Sequence, residues 1–191
     1  MKIGIYGGSF DPIHTGHSIL ANFVAQCGIV DEVWITVSRK NPMKSHQVYA
    51  SDTDRLKMAE SVASECNNVK VCDIEMSMPV PSFTYDTLKK LRGLYPDNEF
   101  KIIIGSDSLL GFEQWRNANK IRSEFGVIVY PRPGYPLPAE EPEGMIFLCG
   151  APEFGVSSSL VREYIRDGWN VSYFVPVSVA NYIAVKNLYK E

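Results

Sequence analysis

The sequence has no CxxC pair, no uninterrupted apolar stretch near the length of a membrane-spanning helix, and no excess of positive charge. Each absence removes a class of function. The four cysteines (Cys27, Cys66, Cys72 and Cys149) are widely scattered, which suits free buried thiols in a reducing compartment better than a zinc site or a disulfide framework. Lys2 leads directly into Ile3-Gly4-Ile5-Tyr6 and then Gly7-Gly8, a strand pattern and not a secretory leader, so a cytoplasmic protein without a membrane partner is expected. The formal net charge of −3 argues against a general polyanion-binding surface, because sequence-independent affinity for nucleic acid rests on many Lys/Arg-phosphate contacts. Nucleic acid is not an expected partner, and any phosphate recognition must be local. The familiar phosphate motifs are missing too: glycines at 4, 7 and 8 do not make GxGxxG, and no GxxxxGK(S/T) occurs.

What is present is an ordinary globular composition, 45% hydrophobic and 21% charged, in a chain of 191 residues. That length suits one domain over residues 1–191 with one full core. Apolar runs of strand type recur at Lys2 to Tyr6, Glu32 to Val37, Val69 to Cys72, Phe100 to Ile104, Gly126 to Tyr130 and Met145 to Leu148. Several are nearly continuous, as strands buried on both faces of a parallel sheet must be. Helical spacing fills the intervals. His17 to Gln26 carries Ile19, Leu20, Phe23 and Val24 on one face before Gly28, and Ser51 with Asp54 opens a helix bearing Leu56, Ala59, Val62 and Ala63. Thr84 to Tyr95 and Ser178 to Tyr189 supply two more, and Ser157 to Ser159 start another, with Leu160, Val161, Tyr164 and Ile165 on its buried face. Strand and helix alternate, which predicts an α/β fold: a Rossmann-like, doubly wound parallel sheet with helices on both faces and ligands at the carboxyl ends of its strands. Tyr130 to Pro142 holds five prolines and reads as an exposed irregular connection.

The most informative segment follows the first strand: Gly7-Gly8-Ser9-Phe10-Asp11-Pro12-Ile13-His14-Thr15-Gly16-His17. Gly7 and Gly8 allow a sharp turn and a close approach to a ligand, and Pro12 fixes the path to the histidines. His14 and His17, three apart where a helix begins, can both address one anion at the helix N-terminus. Two histidines used only as hydrogen-bonding helix-start residues are the plain alternative. Against it, two of the chain's three histidines fall within four positions in the ligand-binding turn of the first βα unit.

The run GGSFDPIHTGH resembles the signature of the nucleotidyltransferases that carry an HxGH motif, in the form found in nicotinate-nucleotide adenylyltransferases. Later segments are similar to the same family: Asn41-Pro42-Met43-Lys44 with Arg55, Pro81-Ser82-Phe83-Thr84-Tyr85-Asp86-Thr87-Leu88, Gly105-Ser106-Asp107 with Trp115, and Val156-Ser157-Ser158-Ser159-Leu160-Val161-Arg162. One departure is visible, since the family's commoner Pro-Pro-His-Lys is here Asn-Pro-Met-Lys, leaving Lys44 as that loop's anchor.

The resemblance implies adenylyl transfer from ATP to nicotinate mononucleotide, with Mg²⁺ carried by the substrate and no dedicated protein metal site. It implies that Gly7, Gly8, Ser9, Phe10, His14, His17, Gly105, Asp107, Ser157, Ser158, Ser159 and Arg162 bind ATP. It further implies that Asn41, Lys44, Arg55, Thr84 and Trp115 bind the mononucleotide, and that His14, His17, Lys44 and Arg162 are catalytic. Residues from about 156 to 191 would complete the ATP site, and a homo-oligomer is compatible with all of this. Phosphopantetheine adenylyltransferase is the nearest rival. A class I aminoacyl-tRNA synthetase fragment would need an anticodon-binding region and a KMSKS loop, and neither is visible.

Overall fold

The continuous apolar runs do form a sheet covered on both faces. In the computed structural model, residues 1–39 and 48–190 are described. Six strands, β1 (Lys2–Gly8), β2 (Glu32–Val37), β3 (Val69–Cys72), β4 (Glu99–Gly105), β5 (Val127–Tyr130) and β6 (Met145–Phe147), make one sheet in the order β3-β2-β1-β4-β5-β6. All five neighbouring pairs are parallel. The order reverses direction between β1 and β4, which is the crevice where open sheets of this kind take their ligands.

Among the described residues seven α-helices accompany the strands: α1 (Thr15–Gln26), α2 (Asp52–Ala63), α3 (Thr84–Leu94), α4 (Ser106–Leu109), α5 (Ala118–Glu124), α6 (Ser158–Arg166) and α7 (Val177–Lys186). Alternation along the strands sorts the core into two layers. Val33, Ile35, Ile103 and Ile128 pack with Leu20 and Val24 of α1, Met58 of α2, Val161 of α6 and Val179 of α7. Ile3, Ile5, Ile102, Ile104, Val127 and Val129 pack on the opposite face with Leu88 and Leu91 of α3 and Ile121 of α5. Each such side chain, fully withdrawn from water, contributes about 1.5–3 kcal/mol before its ordering cost. Helices α4 and α5 are only four and seven residues long.

The first loop departs from its expected turn. Gly7 and Gly8 remain in β1, in register with Thr36 and Val37 of β2. The chain reverses instead at Phe10, whose φ of +46° lies in the left-handed region. That conformation costs a non-glycine residue about 1–2 kcal/mol, and burial of the Phe10 ring, 2% exposed, offsets it. Gly8 makes the fold-back possible, because a Cβ there would lie 2.9 Å from the Phe10 ring.

The loop is then pinned by two other segments through buried Asp11. Its carboxylate accepts the backbone N–H of Tyr49 at 2.8 Å and of Ala50 at 3.1 Å, together with the hydroxyl of Tyr189 at 2.8 Å. Tyr189 reaches it because α7 stops at Lys186, short of its expected end, and Asn187 turns the chain with a φ of +52°. Replacing Asp11 by Asn puts an N–H₂ donor among three donors. We expect Asp11→Asn to lower unfolding stability by about 2–3 kcal/mol in urea denaturation, more than Tyr189→Phe, which removes one donor and leaves two. Equal stability of Asp11→Asn and the wild type would contradict this account of the loop.

Candidate active site

Helix α1 begins with a reciprocal histidine cap. His14 is the N-cap, and its Nδ1 accepts the backbone N–H of His17 at 3.4 Å. The Nδ1 of His17 in turn accepts the backbone N–H of His14 at 3.2 Å. The rings stack with centroids 3.6 Å apart and planes 21° from parallel. Gly16 lets them do so, since a Cβ there would meet His14 Nδ1 and Val156 at 3.1–3.2 Å. The pair thus serves as hydrogen-bonding helix-start residues, the plain reading. Capping uses Nδ1 as acceptor, so in each neutral ring the proton resides on Nε2, which becomes a donor at the helix N-terminus.

His14 is 3% exposed, and its pKa is lowered to about 3, first by desolvation and then by the nearby Arg132 guanidinium. It is neutral at physiological pH. Phe10 and Tyr6 pack edge-on against His17, with centroids 5.0 and 6.0 Å away, which fixes the ring from behind.

The end of β4 forms the adjoining wall. A Cβ on Gly105 would collide with the Asp107 carboxylate and come within 3.0 Å of Arg132 and 3.2 Å of Tyr130. Asp107 is exposed in the first turn of α4, and the N-cap of that helix is Gly105, so Asp107 does not cap it. The hydroxyls of Tyr6 and Tyr130 meet at 3.4 Å, and burial raises the pKa of each.

Arg132 was missed in the sequence, where its segment reads as an exposed connection. A turn closed by the Tyr135 N–H on the Arg132 carbonyl at 2.9 Å, with Ser106 Oγ accepting the Arg132 N–H at 2.9 Å, folds it over His14 and His17. Its place two residues beyond a strand's carboxyl end was the available signal.

Helix α6 docks on the first loop from the other side. Ser157 caps it by accepting the Leu160 N–H at 3.2 Å, and Ser158 donates to the Pro12 carbonyl at 2.9 Å. Arg162 donates to the Asp11 carbonyl at 2.6 Å and to Ser159 Oγ at 3.1 Å. The serines and Arg162 are thus brought beside the histidine loop, where they also serve as its clasp.

On the α3 face of the sheet, Gly7, Thr84 and Trp115 border a partly open cavity of about 70 Å³. A Cβ on Gly7 would meet no protein atom within 4 Å, so the space before that strand end is open. Trp115 is half-buried against Phe112, with ring centroids 5.5 Å apart. Asn41 and Lys44 lie outside the described residues.

Arg55 departs from the expected exposed anchor. It is 0% exposed and donates to the carbonyls of Ser9 at 2.6 Å and Ser38 at 2.7 Å, and to Asp52 at 2.6 Å. It braces the loop from beneath, from the helix face it shares with buried Ala59 and Val62.

The chain is similar to known proteins in sequence and in fold. The cytidylyltransferase-like family model matches residues 5–164. A relative in Flavobacterium johnsoniae, named a probable nicotinate-nucleotide adenylyltransferase, is 36% identical and aligns over 100% of both chains. One of the same name in Bacteroides thetaiotaomicron is 36% identical over 96% of this chain and 91% of its own. The fold matches Plasmodium falciparum nicotinic acid mononucleotide adenylyltransferase, solved in complex with NaAD, with a TM-score of 0.78 at 22% identity over 98% of this chain and 97% of that one.

Two measurements check this geometry. Arg55→Met should cost about 2–4 kcal/mol of stability in urea denaturation, since two buried carbonyls lose their donor. Unchanged stability with weakened acceptor binding would instead make Arg55 a substrate anchor. The folded pKa of His14, about 3, lies below its ordinary 6.5. The unfolded chain therefore takes up this proton first, and stability present above pH 6.5 is lost as pH falls from there toward 3. His14→Asn, which keeps a capping side chain, should show a shallower fall than wild type over that window. Parallel stability curves would contradict the neutral, buried assignment.

Proposed function

The chain belongs to the cytidylyltransferase-like family, and within it we propose that this protein transfers the adenylyl group of ATP to nicotinate mononucleotide. The products are nicotinate adenine dinucleotide and pyrophosphate, a step of NAD biosynthesis. The observation that carries this reading is the reciprocal histidine cap at the start of α1, which leaves each Nε2–H on the ring edge opposite the capping bonds, beside the Arg132 cation.

A phosphate oxygen of the mononucleotide attacks the α-phosphorus of ATP, a new P–O bond forms, and the bond to the β-phosphate breaks. No protein nucleophile is consumed, so positioning and charge stabilisation supply the catalysis. His14 donates from a ring already neutral and therefore needs no protonation event. His17 stabilises charge on the transferring group, and Arg132 and Arg162 meet the charge that develops on the departing pyrophosphate. Asp107 accepts the ribose hydroxyls of ATP, and Ser157, Ser158 and Ser159 serve the triphosphate tail at the start of α6.

On the acceptor side, Trp115 stacks on the pyridine ring, Thr84 adds a hydroxyl, and Asn41 and Lys44 address the acceptor phosphate. ATP enters as its Mg²⁺ complex. The ion is carried by the triphosphate oxygens and water. The four cysteines are free, which supports a reducing, cytoplasmic setting, although they are exposed or half-buried and not buried as expected.

Incubation with ATP, Mg²⁺ and, separately, nicotinate mononucleotide, nicotinamide mononucleotide and phosphopantetheine, followed by mass identification of products, tests the reaction. A dinucleotide formed preferentially from nicotinate mononucleotide is expected, and none from either pyridine acceptor would overturn the reading. His17→Ala should lower turnover by about a hundredfold to a thousandfold with the fold intact, as for loss of one oxyanion-type donor.

A further inference from the structure

Tyr49 is a large side chain that core packing does not account for. It belongs to neither core layer, and 49% of its surface is exposed. Its backbone N–H donates to the Asp11 carboxylate at 2.8 Å, as that of Ala50 does at 3.1 Å, so the main chain is held while the ring stays at the surface. A half-exposed ring outside the core gains little by burial, and its placement has another cause.

The guanidinium of Arg162 lies over this ring, with Cζ 4.5 Å from the centroid. At that distance the face of a tyrosine attracts a cation. Arg162 comes from α6 and is itself tied to Asp11, donating to its carbonyl at 2.6 Å and to Ser159 Oγ at 3.1 Å. Asp11, Tyr49 and Arg162 therefore close a ring of contacts in which one residue fixes both the aromatic platform and the cation upon it. A guanidinium carries five N–H donors, and these bonds engage two of its nitrogens. The donors that remain lie in the plane of the group, along which arginine forks onto phosphate oxygens.

We infer that Tyr49 is a positioning residue for adenylyl transfer, its ring serving as the platform that holds the Arg162 guanidinium in place for the triphosphate of ATP. This rests on the role given to Arg162 above. Tyr49 acts through the arginine, by limiting the orientations the cation samples before the nucleotide arrives. The ring is the platform and the hydroxyl is not, so phenylalanine can replace it and an aliphatic side chain cannot.

The test compares wild type with Tyr49→Phe, Tyr49→Leu, Arg162→Met and the double variant Tyr49→Leu/Arg162→Met. kcat and KM are measured for ATP and for nicotinate mononucleotide, with urea denaturation alongside. Tyr49→Leu should unfold close to the wild-type midpoint and lower kcat/KM for ATP about threefold to tenfold, while Tyr49→Phe stays within about twofold of wild type. Lys44, proposed for the acceptor phosphate, precedes Tyr49 by only five residues, so a merely loosened segment would raise the KM for the acceptor. That KM should instead stay within about twofold in Tyr49→Leu. In the Arg162→Met background, Tyr49→Leu should change kcat/KM for ATP by less than about twofold, because the platform then has no cation to hold. Additive losses in the double variant, wild-type kcat/KM for ATP in Tyr49→Leu, or a Tyr49→Phe enzyme as impaired as Tyr49→Leu would overturn this inference alone. Wild-type kcat/KM for ATP in Arg162→Met would overturn the role of Arg162, and this inference with it. Failure of the wild-type enzyme to use ATP would overturn the proposed reaction itself.

Discussion

The backbone N–H groups at the start of α1 lack the partners of the helix interior, and here two imidazoles accept from each other's residues, the His17 N–H being shared with the His14 carbonyl at 2.9 Å. Because His14 and His17 cap through Nδ1, the opposite edge of each ring is left as a donor aimed away from the helix. The surrounding structure serves this pair. Phe10 folds back in a costly left-handed conformation to pack on His17, and glycines at 8 and 16 make room for the rings involved. Burial together with Arg132 keeps His14 uncharged. A donor that needs no protonation and no rotamer search is pre-organised in the sense that electrostatic catalysis requires.

Rigidity of the loop carrying the pair comes from long-range hydrogen bonds, not from local propensity. Arg55 holds it from α2, Arg162 and Ser158 hold it from α6, and Tyr189 reaches Asp11 from beyond α7. Three helices distant in sequence thus converge on about six residues of backbone, and the C-terminal portion contributes to the site by bracing it. The same contacts explain why polar residues here are so deeply buried. A carboxylate and a guanidinium are tolerated in the interior because backbone groups meet most of their hydrogen-bonding capacity.

Sheet and major helices were legible in the sequence because their signals are local and redundant. Ile102-Ile103-Ile104 reads as a buried strand in any context, and Ser51 with Asp54 marks a helix start at the residue that is in fact the N-cap. The histidine run was legible because its spacing and its place after β1 coincide. What stayed hidden depends on tertiary contact. Arg55 shares a helix face with Ala59 and Val62, so its spacing agrees with burial, but its partners, carbonyls of two other segments, are set by tertiary contact. Arg132 sits in a proline-rich stretch whose composition describes a connection, and only the turn at Tyr135 brings it over the histidines. Tyr49 has the pattern of an ordinary residue in a connecting segment, and the cation over its ring becomes visible only when α6 is in place.

The most direct test of the histidine cap is the tautomeric state of the two rings, read from ¹⁵N shifts of His14 and His17 by NMR at neutral pH during titration with a non-hydrolysable ATP analogue. Both Nδ1 atoms should show the shift of an unprotonated acceptor with and without the analogue, and both Nε2–H signals should move as the triphosphate binds. Protonated Nδ1 in either ring of the free protein, or Nε2–H signals that do not respond to saturating analogue, would contradict the account.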